Sequence, residues 1–198
     1  MQARGSGAEI DLDRLMREYQ AGRSDAFEEI FRALSGPLFQ YLNSRLLDVS
    51  RSEDLLQETF LQIHRARATY RPGRSVRAWA FGVARHVFLM DRRKQGRLHR
   101  HEVPAENALE YLPAPQVDQT VHDRQLVRSV LSRLTPDQRE ILLLRHNWGF
   151  TFKEIGAILG IRETTAKLRA FRAGRTFRSI LEAQNVTLKA AEANESTG

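Results

Sequence analysis

Apolar residues recur every three or four positions from residue 10 to about residue 94, and again from about residue 122 to residue 181. This spacing is typical of amphipathic helices. Between the two stretches the pattern fades through a segment that carries Pro104, Pro113 and Pro115, and no stretch alternates as a strand would. The chain is therefore predicted to be all-α, with two small helical domains joined by a flexible linker. The predicted boundaries are residues 9–95 for the first domain, 96–121 for the linker, 122–184 for the second domain and 185–198 for a disordered tail.

Turn-forming and capping residues divide the first domain into five predicted helices. Gly22 and the step at residues 35–37, Ser-Gly-Pro, interrupt helices, and Pro72 with Gly73 forms a turn. Ser52 and Ser75 are predicted N-caps. The predicted helices span residues 11–20, 25–34, 37–47, 52–66 and 75–94.

The helix predicted at residues 52–66 has one apolar side and one mixed side. Its predicted core stripe consists of Leu55, Leu56, Thr59, Phe60 and Ile63. The opposite side carries Asp54, Gln57, Glu58 and Leu61. An apolar anchor inside a polar rim is typical of a surface that docks on a partner, whereas a solvated face with one exposed leucine would show the same pattern.

The helix predicted at residues 75–94 combines basic and aromatic residues on one side. Its predicted buried stripe consists of Val76, Trp79, Val83, Val87 and Met90, and the opposite side carries Arg77, Phe81, Arg85, Phe88 and Arg92. Arginines that follow phosphates and rings that stack on bases suit single-stranded nucleic acid. The alternative is that the two phenylalanines pack against a neighbouring helix. Arg93 and Lys94 extend the positive charge, and no residue spacing around His86 indicates a metal site.

In the second domain, a glycine turn separates a short apolar helix from a basic one, as in a helix-turn-helix. A first helix is predicted to begin after the N-cap Thr135, the short one spans about residues 151–159, and the last spans 162 to about 183. Residues 162–178 contain six basic residues and one acid. The last helix has a predicted core stripe of Ala166, Ala170, Ala173, Phe177, Ile180 and Leu181. Opposite this stripe lie Thr164, Thr165, Leu168, Arg172 and Arg175, with Lys167 and Arg169 on the flanks. Together with Arg162 at the start of the helix, these are the eight residues predicted to meet DNA.

Composition narrows the possible functions. The chain has 198 residues, a formal net charge of +7 and no cysteine, which favours a polyanionic partner and excludes disulfides and thiolate metal sites. No apolar run approaches the roughly 18 residues of a membrane-spanning helix, and the N-terminus lacks the apolar core of a signal peptide. We therefore expect a cytoplasmic protein without a cofactor.

The residues alone leave three functional classes open. The first is a two-domain protein that binds duplex DNA with its second domain and single-stranded nucleic acid with its first. The second is a stand-alone helix-turn-helix transcriptional regulator with a helical sensing or dimerisation domain. The third is a helical enzyme or scaffold that acts on nucleic acid, although the sequence contains no Gly-rich phosphate loop and no metal-ligand spacing.

Five segments, in this order, resemble bacterial sigma factors, and more narrowly the extracytoplasmic-function (ECF) group, which keeps only regions 2 and 4. Residues 52–60, Ser-Glu-Asp-Leu-Leu-Gln-Glu-Thr-Phe, are close to the region 2 signature Glu-Asp-Leu-x-Gln-Glu-Thr-Phe. Residues 77–93 resemble the stretch that recognises and opens the minus-10 element, with His86 where asparagine is usual. Residues 134–140 and 153–161 resemble region 4, and residues 165–173 resemble its recognition helix, with Leu168 in place of a polar residue.

This resemblance implies an RNA polymerase sigma factor rather than an enzyme. It implies a region-2-like bundle followed by a region-4-like helix-turn-helix, and partners in core polymerase (the beta-prime clamp helices and the beta flap) and promoter DNA. It also allows an anti-sigma factor as a partner. Residues 70–74 resemble the loop that captures an unstacked base. The implied polymerase-binding residues are Asp54, Gln57, Glu58 and Leu61. The implied minus-10 residues are Arg77, Phe81, Arg85, His86, Phe88, Arg92 and Arg93, and minus-35 recognition falls to the eight residues named for the last helix.

Overall fold

The computed structural model describes residues 10–98 and 121–195, and within these ranges it contains helices and turns but no strand. Residues 10–42 and 48–98 belong to one compact unit, and residues 43–47 and 121–195 belong to another. The prediction of an all-α protein with two helical domains is therefore confirmed. The predicted linker lies almost entirely outside the described residues.

The first unit is built from four α-helices and a short 3-10 turn, and it includes α2 up to Leu42. The bounds are α1 Leu12–Gln20, α2 Asp25–Leu46, α3 Val49–Ala66, the turn Arg67–Thr69 and α4 Val76–Leu98. Aromatic rings link the first three helices: Tyr19 stacks on Phe27 with ring centroids 5.1 Å apart, and Phe27 meets Phe60 edge-on at 6.2 Å. Tyr41 of α2 packs against Phe81 of α4 at 5.3 Å. These contacts bring α4 and α3 onto the same core.

The break predicted at residues 35–37 is wrong, because α2 runs unbroken through Pro37. Proline lacks an amide hydrogen, so one backbone hydrogen bond of the helix is absent at this point. Side chains with at most 1% exposure nevertheless recur at every fourth position on both sides of the proline: Ile30, Leu34, Leu38 and Leu42. The burial of this continuous stripe outweighs the local penalty.

Asp48, and not Ser52, caps α3, so the predicted N-cap was wrong. The Asp48 carboxylate accepts a hydrogen bond from the Arg51 amide at 3.0 Å. Ser52 lies one turn inside the helix, is fully buried and donates its hydroxyl to the Asp48 carbonyl at 2.6 Å. Aspartate and serine can both cap a helix. With Asp48 as the cap, α3 is one turn longer at its N-terminus than with Ser52. The prediction that Ser75 caps α4 is confirmed, since the Ser75 hydroxyl accepts a hydrogen bond from the Ala78 backbone amide at 3.1 Å.

The second unit contains four described helices: α5 Val121–Ser132, α6 Pro136–His146, α7 Phe152–Leu159 and α8 Glu163–Glu195. Thr135 caps α6 as predicted, and its capping box is completed by Gln138. The last helix continues to Glu195 instead of ending near residue 183, so the predicted disorder is wrong for residues 185–195. This segment contains no glycine or proline, and it has three alanines and two glutamates, which are strong helix formers.

Candidate functional site

The turn between α7 and α8 requires glycine at two positions. Gly160 ends α7 with φ at +69°, a left-handed conformation that glycine adopts without strain. The Ile161 amide then donates to the Gly156 carbonyl at 2.9 Å. A Cβ atom at Gly156 would lie only 2.8 Å from the Ile161 carbonyl oxygen. The sequence thus brings α7 and α8 as close together as backbone atoms permit, which fixes the direction of α8.

The N-terminal half of α8 buries alanines and exposes basic residues. Ala166 and Ala173 are fully buried, and Ala170 is almost so. Small side chains on this stripe let α8 pack closely on its neighbours. Seven of the eight residues predicted to meet DNA are exposed and Thr165 is half-buried; the exposed seven are Arg162, Thr164, Lys167, Leu168, Arg169, Arg172 and Arg175. The orientation of the face is therefore confirmed, and its contact with DNA stays a prediction.

Phe171 lies on this same face and was missed by the sequence reasoning. Its exposed fraction, 59%, is the highest among the large hydrophobic residues that the structure describes, and Leu168 is exposed by 49%. Seven positions after Thr164, Phe171 returns to within about 20° of it around the helix. The helical spacing alone could therefore have placed Phe171 at the centre of the basic face.

The predicted orientation of α4 was wrong for its aromatic residues. Phe81 and Phe88, expected on the nucleic-acid face, are 0% and 3% exposed. Met90, expected in the core, is 49% exposed, and Trp79 is half-buried. The ring of Phe81 fills the core against α2, which is the alternative that the sequence left open.

The basic residues of α4 remain available in part. Arg77 and Arg85 are half-buried, while His86, Arg92 and Arg93 are exposed. The Arg92 guanidinium lies over the Phe88 ring, 6.0 Å from its centroid, close enough for a cation–π contact. Phe88 therefore supports an arginine from below and is not itself presented for stacking.

The acidic side of α3 faces outward as the sequence predicts. Asp54 and Gln57 are exposed, Leu61 is 41% exposed, and Glu58 is half-buried. The Glu58 carboxylate accepts a hydrogen bond from the Gln62 amide at 2.6 Å, which fixes its direction on the helix surface. An exposed leucine thus shares one side of α3 with two carboxylates and an amide that precede it in the helix. The binding role of this side stays a prediction.

The loop between the 3-10 turn and α4 is held by side chains of α1. The Gln20 amide donates to the carbonyls of Arg67 and Tyr70 at 2.7 and 3.0 Å. Tyr70 is buried, its ring meets Trp79 edge-on with centroids 5.7 Å apart, and its hydroxyl donates to the Arg74 carbonyl. Burial, together with the neighbouring Asp13 carboxylate, raises the pKa of Tyr70 to about 12. The loop therefore has a defined shape before any ligand binds.

Neither a metal centre nor a membrane span is found among the described residues. No group of three His, Cys, Asp or Glu side chains there could hold a metal ion. No described helix is both long enough and apolar enough to cross a bilayer.

Two family models match the chain in the order of the two units. The model for Sigma-70 region 2 matches residues 30–98, and the model for Sigma-70, region 4 matches residues 124–175. Among curated relatives, the RNA polymerase sigma factor CarQ of Myxococcus xanthus is 31% identical over 166 residues, covering 84% of this chain and 95% of CarQ. The ECF RNA polymerase sigma factor BldN of Streptomyces coelicolor is 30% identical over 186 residues, covering 90% of this chain and 70% of BldN.

Solved structures share the fold. CnrH, solved in complex with the cytosolic domain of CnrY, gives a TM-score of 0.63 at 23% identity and covers 87% of this chain and 99% of its own. The sigma factor RpoE of Bartonella quintana, solved with the anti-sigma factor NepR, gives 0.62 at 24% identity, with 79% and 96% covered. Both family models and the curated relatives agree, and the chain therefore belongs to the sigma-70 family of RNA polymerase sigma factors, within its ECF group.

Proposed function

We propose that this sigma factor binds core polymerase and opens promoters through three surfaces, two on the first unit and one on the second. The assigned domain bounds are residues 9–95 and 122–184, with the linker at 96–121. The observation that carries the proposal is the outward-facing basic side of α8 behind a glycine turn, preceded in the same chain by the acidic face of α3. A factor of this kind must contact duplex DNA and polymerase at once. The basic surface has the charge that DNA phosphates attract, and the acidic face of α3 is a separate surface for the polymerase.

The second unit anchors the protein on duplex minus-35 DNA. Positive side chains along α8 neutralise phosphates and reach base edges in the major groove. The assigned residues are Arg162, Thr164, Thr165, Lys167, Leu168, Arg169, Arg172 and Arg175. We further propose that the same unit contacts the beta flap of the polymerase.

The first unit docks on the beta-prime clamp helices through Asp54, Gln57, Glu58 and Leu61. Leu61 serves as the apolar anchor, and Asp54 and Glu58 place negative charge on the same side of α3, in the turns that precede it. Contacts of this kind concentrate their binding energy in the central apolar residue, because the polar rim excludes water from it.

The minus-10 strand lies along α4, where Arg77, Arg85, His86, Arg92 and Arg93 are the assigned contacts. Phe81 and Phe88 leave this set because they are buried. Unstacking costs a few kcal/mol per base step, and arginine contacts to the exposed strand offset that cost. We propose that the loop at residues 70–74, beside the half-buried Trp79, receives the unstacked base.

Three further assignments rest on the same function. The chain performs no bond-making chemistry of its own, since the polymerase supplies it, and it works in the cytoplasm where that polymerase is found. The solved neighbours were captured with NepR and with the cytosolic domain of CnrY, and we propose an anti-sigma factor as a partner of this chain as well. Both family models match, so a stand-alone regulator is not favoured.

Run-off transcription with purified core polymerase tests the whole proposal. Genomic promoter fragments should give start sites that depend on this protein. The combined change Asp54→Arg with Leu61→Ala should weaken core binding at least tenfold, as expected for loss of an interface anchor and a reversed charge. Glu182→Arg makes the same charge reversal on an exposed position of α8 and should bind core normally. Unchanged core binding by the double variant would refute the docking face.

A further inference from the structure

The exposed apolar pair Leu168 and Phe171 interrupts an otherwise polar and basic surface. The two residues are one helical turn apart on α8, so their side chains are neighbours on the same face. Both are more exposed than Leu61, the anchor assigned to polymerase binding. Isolated exposed apolar residues are common on protein surfaces. Two adjacent ones at the centre of the helix that we assign to DNA favour a contact with an apolar group on that DNA.

An open cleft of about 520 Å³ lies beside this pair, within the second unit. Its walls come from the end of α6, the start of α7 and the N-terminal half of α8, and they include Phe152, Leu168 and Phe171. The Arg145 guanidinium lies over the Phe152 ring at 5.0 Å, so that ring is held in place. Thr164 and Lys167, both assigned to DNA, line the same cleft, so the cleft opens on the face of α8 that we assign to DNA.

The major groove offers one apolar group on a base edge, the 5-methyl group of thymine. Hydrogen-bonding side chains read the other bases, and neither leucine nor phenylalanine has a donor or acceptor in its side chain. We propose that Leu168 and Phe171 read thymine methyl groups in the minus-35 element, and so make one or two thymines a requirement of this promoter class. This inference rests on the proposed placement of α8 on minus-35 DNA.

Deoxyuridine substitution tests the inference, because uracil keeps the base-pairing edge of thymine and lacks only the methyl group. The holoenzyme first selects minus-35 sequences from a randomised promoter library, and each selected thymine is then replaced by deoxyuridine. Binding of the holoenzyme should weaken about fourfold at one or two positions, which corresponds to about 0.8 kcal/mol per methyl group. Leu168→Ser and Phe171→Ala should each reduce the thymine–uracil difference at one position toward zero.

Arg172→Ala is the matched control on the same helix. It should weaken binding to thymine and uracil templates equally and leave their ratio unchanged. If Arg172→Ala weakens binding but deoxyuridine has no effect in the unmodified protein, methyl reading is wrong and the minus-35 assignment survives. If none of the three variants changes promoter affinity, the assignment of α8 itself fails. Selected sites without thymine, or a loss of core binding by the folded Leu168→Ser protein, would also overturn the inference.

Discussion

The Asp13 carboxylate of α1 accepts a hydrogen bond from the Val76 amide, the first residue of α4, at 2.9 Å. The same oxygen lies 3.3 Å from the Tyr70 hydroxyl. A negative charge at a helix N-terminus satisfies a free amide and interacts favourably with the helix dipole. Although 63 residues separate them in sequence, Asp13 therefore acts as part of the α4 cap and also anchors the loop that precedes it.

Removal of this carboxylate should destabilise the first unit. We expect Asp13→Ala to cost about 1–3 kcal/mol, because the Val76 amide at the start of α4 loses its capping partner, while the Tyr70 hydroxyl keeps only the Arg74 carbonyl. The chain has two tryptophans, so denaturant unfolding in a Trp148→Phe background, followed by Trp79 fluorescence, reports on this unit. Glu53→Ala, at an exposed position of α3, is the control and should change stability by less than about 0.5 kcal/mol. Equal stability of both variants would contradict the role of Asp13.

Alkaline pH should weaken the first unit through Tyr70. Its pKa is raised from 10.0 to about 12 by burial and by the Asp13 carboxylate, so the folded state favours the protonated phenol. The contribution of the protonated Tyr70 to the free energy of unfolding is therefore fully present below pH 10, and it is lost as the pH rises toward 12. Tyr70→Phe should be less stable than the unmodified protein by about 1 kcal/mol at pH 8, and this difference should shrink or reverse above pH 10. Thermal unfolding over this pH range checks it, and a constant difference would count against the mechanism.

Local turn and cap chemistry predicted most of the helix boundaries. Ser75 and Thr135 cap the helices that follow them, because an N-cap requires only one side chain and an amide three positions later. The effect of Pro37 was not predictable in the same way. Its local penalty is visible in the sequence, whereas the stabilising burial of α2 depends on helices that are distant in sequence.

The two candidate nucleic-acid helices differ in how clearly their sequences define a buried side. In the N-terminal half of α8, the alanines Ala166, Ala170 and Ala173 are buried and the basic residues lie on the other side, so the exposed face was predicted. In α4, apolar residues lie on nearly every side. Their helical spacing therefore gives no reason to expect Phe88 to be buried and Met90 to be exposed. The side of α4 that is buried depends on packing against other helices, as the contact of Phe81 with Tyr41 of α2 shows, and the sequence of α4 alone does not contain that information.

The sequence pattern places Met90 in the core and Phe88 on the surface, so it predicts that loss of Met90 is the more destabilising change. The structure predicts the opposite order. Phe88→Ala should cost about 3–5 kcal/mol, since it opens a cavity under α4, while Met90→Ala should change stability by about 0.5 kcal/mol or less. Unfolding followed by Trp79 fluorescence in the Trp148→Phe background measures both. Similar stabilities for the two variants would mean that α4 is rotated from the orientation described.

The close approach at Gly156 should make the helix-turn-helix intolerant of a single methyl group. Gly156→Ala places a Cβ atom 2.8 Å from the Ile161 carbonyl oxygen; backbone must move to relieve the clash, at a cost of about 1–3 kcal/mol. Gly174→Ala is the matched control, because its added Cβ would meet no atom within 4 Å beyond the adjacent residues and the backbone of its own helix. Alanine also favours the helix by about 0.5–1 kcal/mol. Unfolding in a Trp79→Phe background, followed by Trp148 fluorescence, should show the first variant destabilised and the second stabilised. Binding of the holoenzyme to minus-35 duplex DNA should weaken with Gly156→Ala alone, since the direction of α8 depends on the close approach at Gly156. Normal stability of Gly156→Ala would show that the turn has more space than its geometry indicates.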